Sequence, residues 1–246
     1  MKLYKIFLIS LMVFSFQYNS AQEGLSVFSD YLTDNYYLLH PSMAGAANCS
    51  QIRLTGRRNW IGDEDSPSLF TAAYNGRIGN SQSGIGAILY NDKNGFTSQT
   101  GGYLTYAHHL LFSSSEADLN QLSFGLSAGL IQYRLDQTSF FADDPLIEGG
   151  SISSSEFNMD VGLSYNLYNF YTHFTVKNLL ENSGINNNLE VTNNLRNFLL
   201  SVGYVIARPG KTFSYEPSIL YSLRDGTQQS TIDFNLKVYS LSLIHI

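Results

Sequence analysis

The chain has 246 residues, 43% of them hydrophobic, with Lys+Arg 14 against Asp+Glu 20 and a net charge of -6. So much apolar sequence excludes a disordered chain, and the acidic balance offers no footprint for nucleic acid. Charged residues are only 14%, against roughly 25% in ordinary soluble domains, and aromatics equal them at 14%.

The first segment reads as a secretory signal. Lys2 and Lys5 form a positive start, Ile6–Phe16 is apolar, and Ser20-Ala21-Gln22 offers cleavage after Ala21. Such a stretch is too short to span a bilayer as a helix. We therefore expect residues 1–21 to be a signal peptide and 22–50 an N-terminal segment leading into the body of the fold. The one cysteine, Cys49, excludes an internal disulfide and a cysteine-rich metal site. It lies too far from the signal to be a lipid-modified cysteine, and we expect a buried or half-buried structural thiol.

From residue 51 to 240 the pattern has a period of two, the signature of strands. In Gln121–Leu130, Leu122, Phe124, Leu126, Ala128 and Leu130 alternate with Gln, Ser and Gly. Phe157–Tyr168, Phe213–Leu223 and Thr231–Tyr239 repeat the rule. Gln51–Trp60, Ser68–Arg77, Gly84–Tyr90, Gly102–Phe112, Phe170–Asn178 and Phe198–Ala207 complete ten strand candidates. Turn signals separate them at Asn75-Gly76, Asn91–Gly95, Asn182-Ser183-Gly184, Arg208-Pro209-Gly210 and Asp225-Gly226. No amphipathic helix of useful length intervenes, so the expected fold is all-β, antiparallel and up-and-down.

A soluble sandwich would expose a face rich in Lys and Glu. Here the second face is Gly, Ser, Asn and Gln, which suits the interior of an outer-membrane β-barrel whose apolar face meets lipid. Tyr90, Tyr103, Phe112, Tyr133, Tyr168, Tyr204 and Tyr239, near strand ends, are expected in interfacial girdles. On this reading Leu126→Arg is costly and Ser127→Arg far milder.

No catalytic motif survives its context. Gly125-Leu126-Ser127-Ala128-Gly129 spells G-x-S-x-G, but the nucleophile elbow needs a sharp strand-to-helix turn, not an unbroken alternation. His108 and His109 are adjacent and on a strand face opposite ways. Asp143-Asp144 beside Pro145, in the loop Asp136–Glu156, reads as a solvated turn. We expect no enzyme, metal or cofactor.

The N-terminal part carries more. Phe28-Ser29-Asp30-Tyr31-Leu32 leads to Tyr37-Leu38-Leu39-His40-Pro41-Ser42-Met43-Ala44-Gly45, then to Arg57-Arg58-Asn59-Trp60 and Ser66-Pro67. This order resembles the opening of the PorP/SprF family of type IX secretion system membrane proteins of the Bacteroidetes. That family opens with an F-S-Q-Y-like run, then N-P-A-x-x-G, then a Y-R-x-Q-W strand and a G-x-P-like step. His40 replaces its Asn, Ser42 its Ala, and Asn59 stands where Gln is usual. Gly203-Tyr204, Glu216-Pro217-Ser218 and Asp233-Phe234-Asn235 resemble its later strands.

Physically, Pro41 and Gly45 should break the N-terminal segment and turn it into the first strand. Trp60 should close that strand at an interface, and Pro217 should mark a bulge, edge or strand start. Pro41, Gly45, Arg58, Trp60, Pro67, Gly203, Tyr204, Pro217 and Ser218 are thus expected to specify the fold. The resemblance implies a non-enzymatic outer-membrane component serving secretion or surface attachment of a client, such as a gliding-motility adhesin, with a type IX C-terminal sorting domain. Its implied partners are outer-membrane lipid and other type IX components. The alternative is a solute-transport barrel of the fatty-acid-transporter kind. The resemblance also implies a barrel of about 14 strands, so ten would be an incomplete set. Leu241–Ile246 shows no closing strand and matches a translated transposon-end adapter, so 241–246 is expected to be a non-native tail.

Overall fold

A computed structural model describes residues 35–47, 49–60, 62, 66–113, 119–138, 150–180, 195–207, 212–225 and 229–240. The expected signal, the run 28–32, Asp143-Asp144 and the tail 241–246 lie outside them. Ten antiparallel strands form one sheet in sequence order. They are β1 (Gln51–Arg58), β2 (Ser68–Arg77), β3 (Ser83–Asn94), β4 (Thr97–Leu111), β5 (Asn120–Asp136), β6 (Ser151–Leu167), β7 (Phe170–Lys177), β8 (Asn197–Tyr204), β9 (Phe213–Arg224) and β10 (Gln229–Ser240). Among the described residues β1 and β10 do not pair, so the sheet is open.

The alternation sorts the two faces as expected, but inverts those of a water-soluble protein. On β5 Ser123 and Ser127 are 0% and 4% exposed, while Leu126 and Leu130 are 43% and 61% exposed. Cross-strand register carries the apolar outer face around the sheet, from Leu54 through Ala72, Leu89, Gly102 and Leu130 to Phe157. An apolar outside around a polar inside suits a wall that meets lipid.

The sheet is curled. Residues Tyr36–Gly45 form a four-residue helix α1 (Tyr36–Leu39) and a 3-10 turn (Pro41–Met43). Gly45 bonds Asn75 and Arg77 on β2, and Lys237 on β10 lies over the Tyr36 ring, 5.4 Å from its centroid. Laid flat, β2 to β10 would span about 38 Å at ~4.8 Å per step. Ten residues fully extended reach only ~33 Å, and helical turns shorten them well below that. Only a concave sheet lets one short segment touch both.

Several expectations are corrected. Tyr90 and Tyr103 are not girdle residues: they point inward, 4% and 8% exposed, and stack with centroids 6.5 Å apart. Tyr133 packs against the same inner cluster. Their strand parity puts them on the face of Thr105 and Ser127, and proximity to a strand end says nothing about parity. Phe112, Tyr168 and Tyr204 are outside as expected, whereas Tyr239 has the inward parity of β10 and its hydroxyl donates to Glu216 on the inner face. The Asn75-Gly76 turn signal falls within β2, because Asn75 is turned inward to accept the Gly45 N–H at 3.2 Å. Strand β3 runs to Asn94, leaving only Gly95 and Phe96 to turn, with Gly95 at φ +58°. Cys49 is exposed, on the connection into β1, and so is not the buried or half-buried thiol expected. Ser127 is buried and its hydroxyl is 2.7 Å from that of Thr105. Ser127→Arg would therefore have to displace that network, and the mild outcome expected above is withdrawn.

Candidate functional site: an N-terminal segment seated on the inner face

Small residues on the strands open the space that the N-terminal segment fills. A Cβ on Gly84 would lie 2.2 Å from the Ala44 carbonyl oxygen, and one on Gly125 would lie 2.2 Å from the Ser42 nitrogen. Real Cβ atoms do not approach backbone so closely, so glycine there is what lets the segment sit against β3 and β5. At its C-terminal end Gly45 takes φ +69°, a left-handed conformation that favours glycine, and sends the chain toward β1.

Polar side chains then fasten it. His40 is 0% exposed, with Nδ1 2.8 Å from Thr175 Oγ1 on β7 and Nε2 2.7 Å from Ser201 Oγ on β8. A neutral imidazole has one donor and one acceptor nitrogen, so one hydroxyl receives a proton and the other gives one. Ser42 bonds Ser164 on β6 at 2.5 Å, and Tyr37 OH donates to Thr105 at 2.9 Å. Lys177 Nζ donates to the Leu38 carbonyl at 2.7 Å. His109, also buried, is 3.0 Å from the Ala44 carbonyl through Nε2. A carbonyl can only accept, so Nε2 carries the hydrogen and Nδ1 accepts from Ser123 or Gln121. Apolar contacts complete the seat: Tyr37, Leu38 and Ala44 join Ile88, Tyr103 and Ala107, and Leu39 joins Leu199 and Leu220.

The sequence-expected positions divide into three places. Pro41 and Gly45 belong to the seated segment. Arg58, Trp60 and Pro67 meet at the β1–β2 rim, where Arg58 Nε donates to Ser66 Oγ at 3.1 Å and Asn59 N–H to the Pro67 carbonyl at 2.9 Å. Gly203 and Ser218 are register partners across β8–β9, and that ladder stops there. Tyr204 and Pro217 follow as exposed neighbours, and Pro217 keeps its partner Leu236 on β10. Pro217 therefore marks an interrupted ladder, in line with its missing N–H. His40, Ser42, Tyr37, Lys177 and His109 were not among the expected positions. The only signal for His40 was its departure from the N-P pattern.

His40 lies outside the strands, and burial holds its imidazole well below the usual histidine range, with the charges of His173 and Lys177 adding to the effect. Tyr36 and His173 face it directly, their ring centroids 6.2 and 5.1 Å away, and Tyr171 and Glu216 lie just beyond. A value depressed by folding means that the seated state resists the charged form. Seating is therefore fully supported above the unfolded value near about 6.5 and weakens as pH falls below it. We expect Ser42→Cys, in a Cys49→Ala background, to react with maleimide faster below about pH 6, relative to an unfolded control. His40→Asn should shrink that pH step. His40→Ala should cost about 2 kcal/mol or more, because two buried hydroxyls lose a partner, and raise labelling at pH 7.5 about tenfold or more. A labelling rate unchanged by His40→Ala would show that the segment is held by packing alone.

Among known proteins, the family described as "Type IX secretion system membrane protein PorP/SprF" matches residues 20–244. No curated protein and no solved structure matches.

Proposed function

The chain belongs to the PorP/SprF family of type IX secretion system membrane proteins, and from that premise we propose that it works as a non-enzymatic component in the outer membrane. Its role is to support the secretion or surface attachment of a client carrying a type IX C-terminal sorting domain. The observation that carries this reading is the occupied inner face. The Tyr36–Gly45 segment crosses it on buried hydrogen bonds to β2, β4, β6, β7 and β8. An interior filled in this way favours recognition at the rims over passage through the middle, and so counts against a solute-transporting barrel.

The rims are built for contact. The connections 59–67, 95–96, 137–150, 178–196 and 225–228 leave one rim, and 78–82, 112–119, 168–169 and 205–212 leave the other. The two longest share the first rim, which in barrels of this kind faces outward from the cell. Client or translocon docks on these loops, or adds a strand to an open sheet edge. Deleting the gene should remove one or a few type IX clients from the cell surface while leaving small-solute uptake unchanged. Unaltered surface proteins together with slowed solute uptake would favour the transport barrel instead. A pull-down from outer membranes should bring down other type IX components.

A further inference from the structure

The outer face of the sheet carries charge at one level only. Register makes Arg58, Ser68, Lys93, Ser98, Arg134 and Ser153 successive partners across β1 to β6, one continuous row perpendicular to the strands. All six share the parity of exposed Leu54, Leu89 and Leu130, so the row lies on the outside. Cations occupy alternate strands, about 10 Å apart. Among the described strands the other charges of the outer face reduce to Asp136, two residues beyond Arg134; its carboxylate accepts the Thr138 N–H and O–H at 3.1 and 2.6 Å and also feels the charges of Arg134 and Lys93. Arg53, Arg57, Arg77, Asp92, Glu156 and the remaining charged residues of the strands have the inward parity. Around the opposite rim the outer face ends in Leu167, Phe170, Tyr204 and Phe213, with no charge.

We propose that Arg58, Lys93 and Arg134 form a binding row for the phosphate headgroups of lipids in the leaflet on the long-loop side. The proposal rests on the membrane reading above and goes beyond it. On β3 to β6 the apolar belt ends at the Leu89–Leu130–Phe157 row; a neutral polar row follows, from Asn91 through Thr100 and Gln132 to Ser155. The cations come next, about 13 Å along the strands from Leu130. In a tilted barrel that is headgroup depth, just outside a hydrocarbon core about 30 Å thick. Three cations against one engaged carboxylate complement phosphate, and interleaved serines add hydroxyl donors at the same height. Arg supplies a planar fork suited to phosphate oxygens, and long stems let both residue types reach the headgroup from the strand. Trp60, 73% exposed and two residues beyond Arg58, sits where an interfacial tryptophan belongs.

Trp60 is the sole tryptophan, so it reports on lipids beside the row. The full chain is reconstituted into phosphatidylcholine vesicles containing a minor share of lipid brominated near the headgroup end of its chains, either phosphatidylglycerol or phosphatidylcholine. We expect brominated phosphatidylglycerol to quench Trp60 about twofold or more better than brominated phosphatidylcholine at equal content. Raising salt from about 0.05 M to about 0.5 M should shrink that preference in the unaltered protein. R58Q/K93Q/R134Q should abolish it, and the inward-facing R53Q should keep it. Equal quenching by both lipids in the unaltered protein, or a preference that survives the triple substitution, overturns the proposal. A preference erased by inorganic phosphate at constant ionic strength overturns the lipid as occupant and leaves a free-phosphate site. Failure of either lipid to quench overturns the membrane reading itself, and the row with it.

Discussion

Gly125→Val should drive the N-terminal segment off the inner face. Valine's Cβ would fall 2.2 Å from the Ser42 nitrogen and 2.3 Å from the Pro41 carbonyl carbon. These are backbone atoms, which cannot swing aside as a side-chain tip would. Overpacking a core usually costs about 1–3 kcal/mol because neighbours shift by tenths of an ångström. Relief here requires moving a segment pinned on both sides, by Ser42 to Ser164 and by His40 to Thr175 and Ser201. The cheaper route is for the segment to leave, forfeiting those bonds. Ser42→Cys, in a Cys49→Ala background, should then label with maleimide at least about tenfold faster, each tenfold being about 1.4 kcal/mol. Gly56→Val is the control: Gly56 faces outward on β1 with nothing within 4 Å of a Cβ. It should leave both labelling and thermal stability unchanged. Labelling of Gly125→Val at the unaltered rate would mean that the sheet opens around the segment, and that the seat is not rigid.

The difference between these two glycines shows what can be read before folding is known. Alternation assigns a residue to a face, and it did so correctly for Ser123, Ser127 and Leu126. It cannot say what will cover a face. Gly125 reads as a small interior residue, and its neighbours, Pro41 and Ser42, lie more than eighty positions away on a segment with no period of its own. His40 shows the same limit. Its two hydroxyl partners, Thr175 and Ser201, are brought together only by the β7–β8 pairing. Tyr90 and Tyr103 fail for a second reason. Aromatics near strand ends are expected at interfaces, but bulky rings also fill an inner face wherever the opposing residue is glycine, as Gly101 and Gly129 are against them. The strands, their order and the outer face were therefore legible. The seat of the segment was not, because it depends on contacts between elements remote in sequence.

Leu126→Arg tests whether the outer face meets lipid or water, and the two solvents give different answers. Leu126 lies on β5 between register partners Tyr106 and Val161, and midway along the outward run from Leu122 to Leu130. It is 43% exposed. In water, replacing a part-exposed leucine by arginine removes little burial and normally changes stability by no more than about 0.5 kcal/mol. In a bilayer, the same exposure places a guanidinium in hydrocarbon, where the cost is about 2–4 kcal/mol at the midplane and about 0–1 kcal/mol near the interface. Gln132→Arg, six residues along the same outward row of β5, supplies the depth control, because Gln132 stands in the polar row beneath Arg134. Denaturant unfolding from phosphatidylcholine vesicles should show the larger loss for Leu126→Arg and almost none for Gln132→Arg. Equal, small effects at the two positions would remove lipid from the outer face. The exposed leucines and phenylalanines of β3 to β6 would then need another protein surface to cover them.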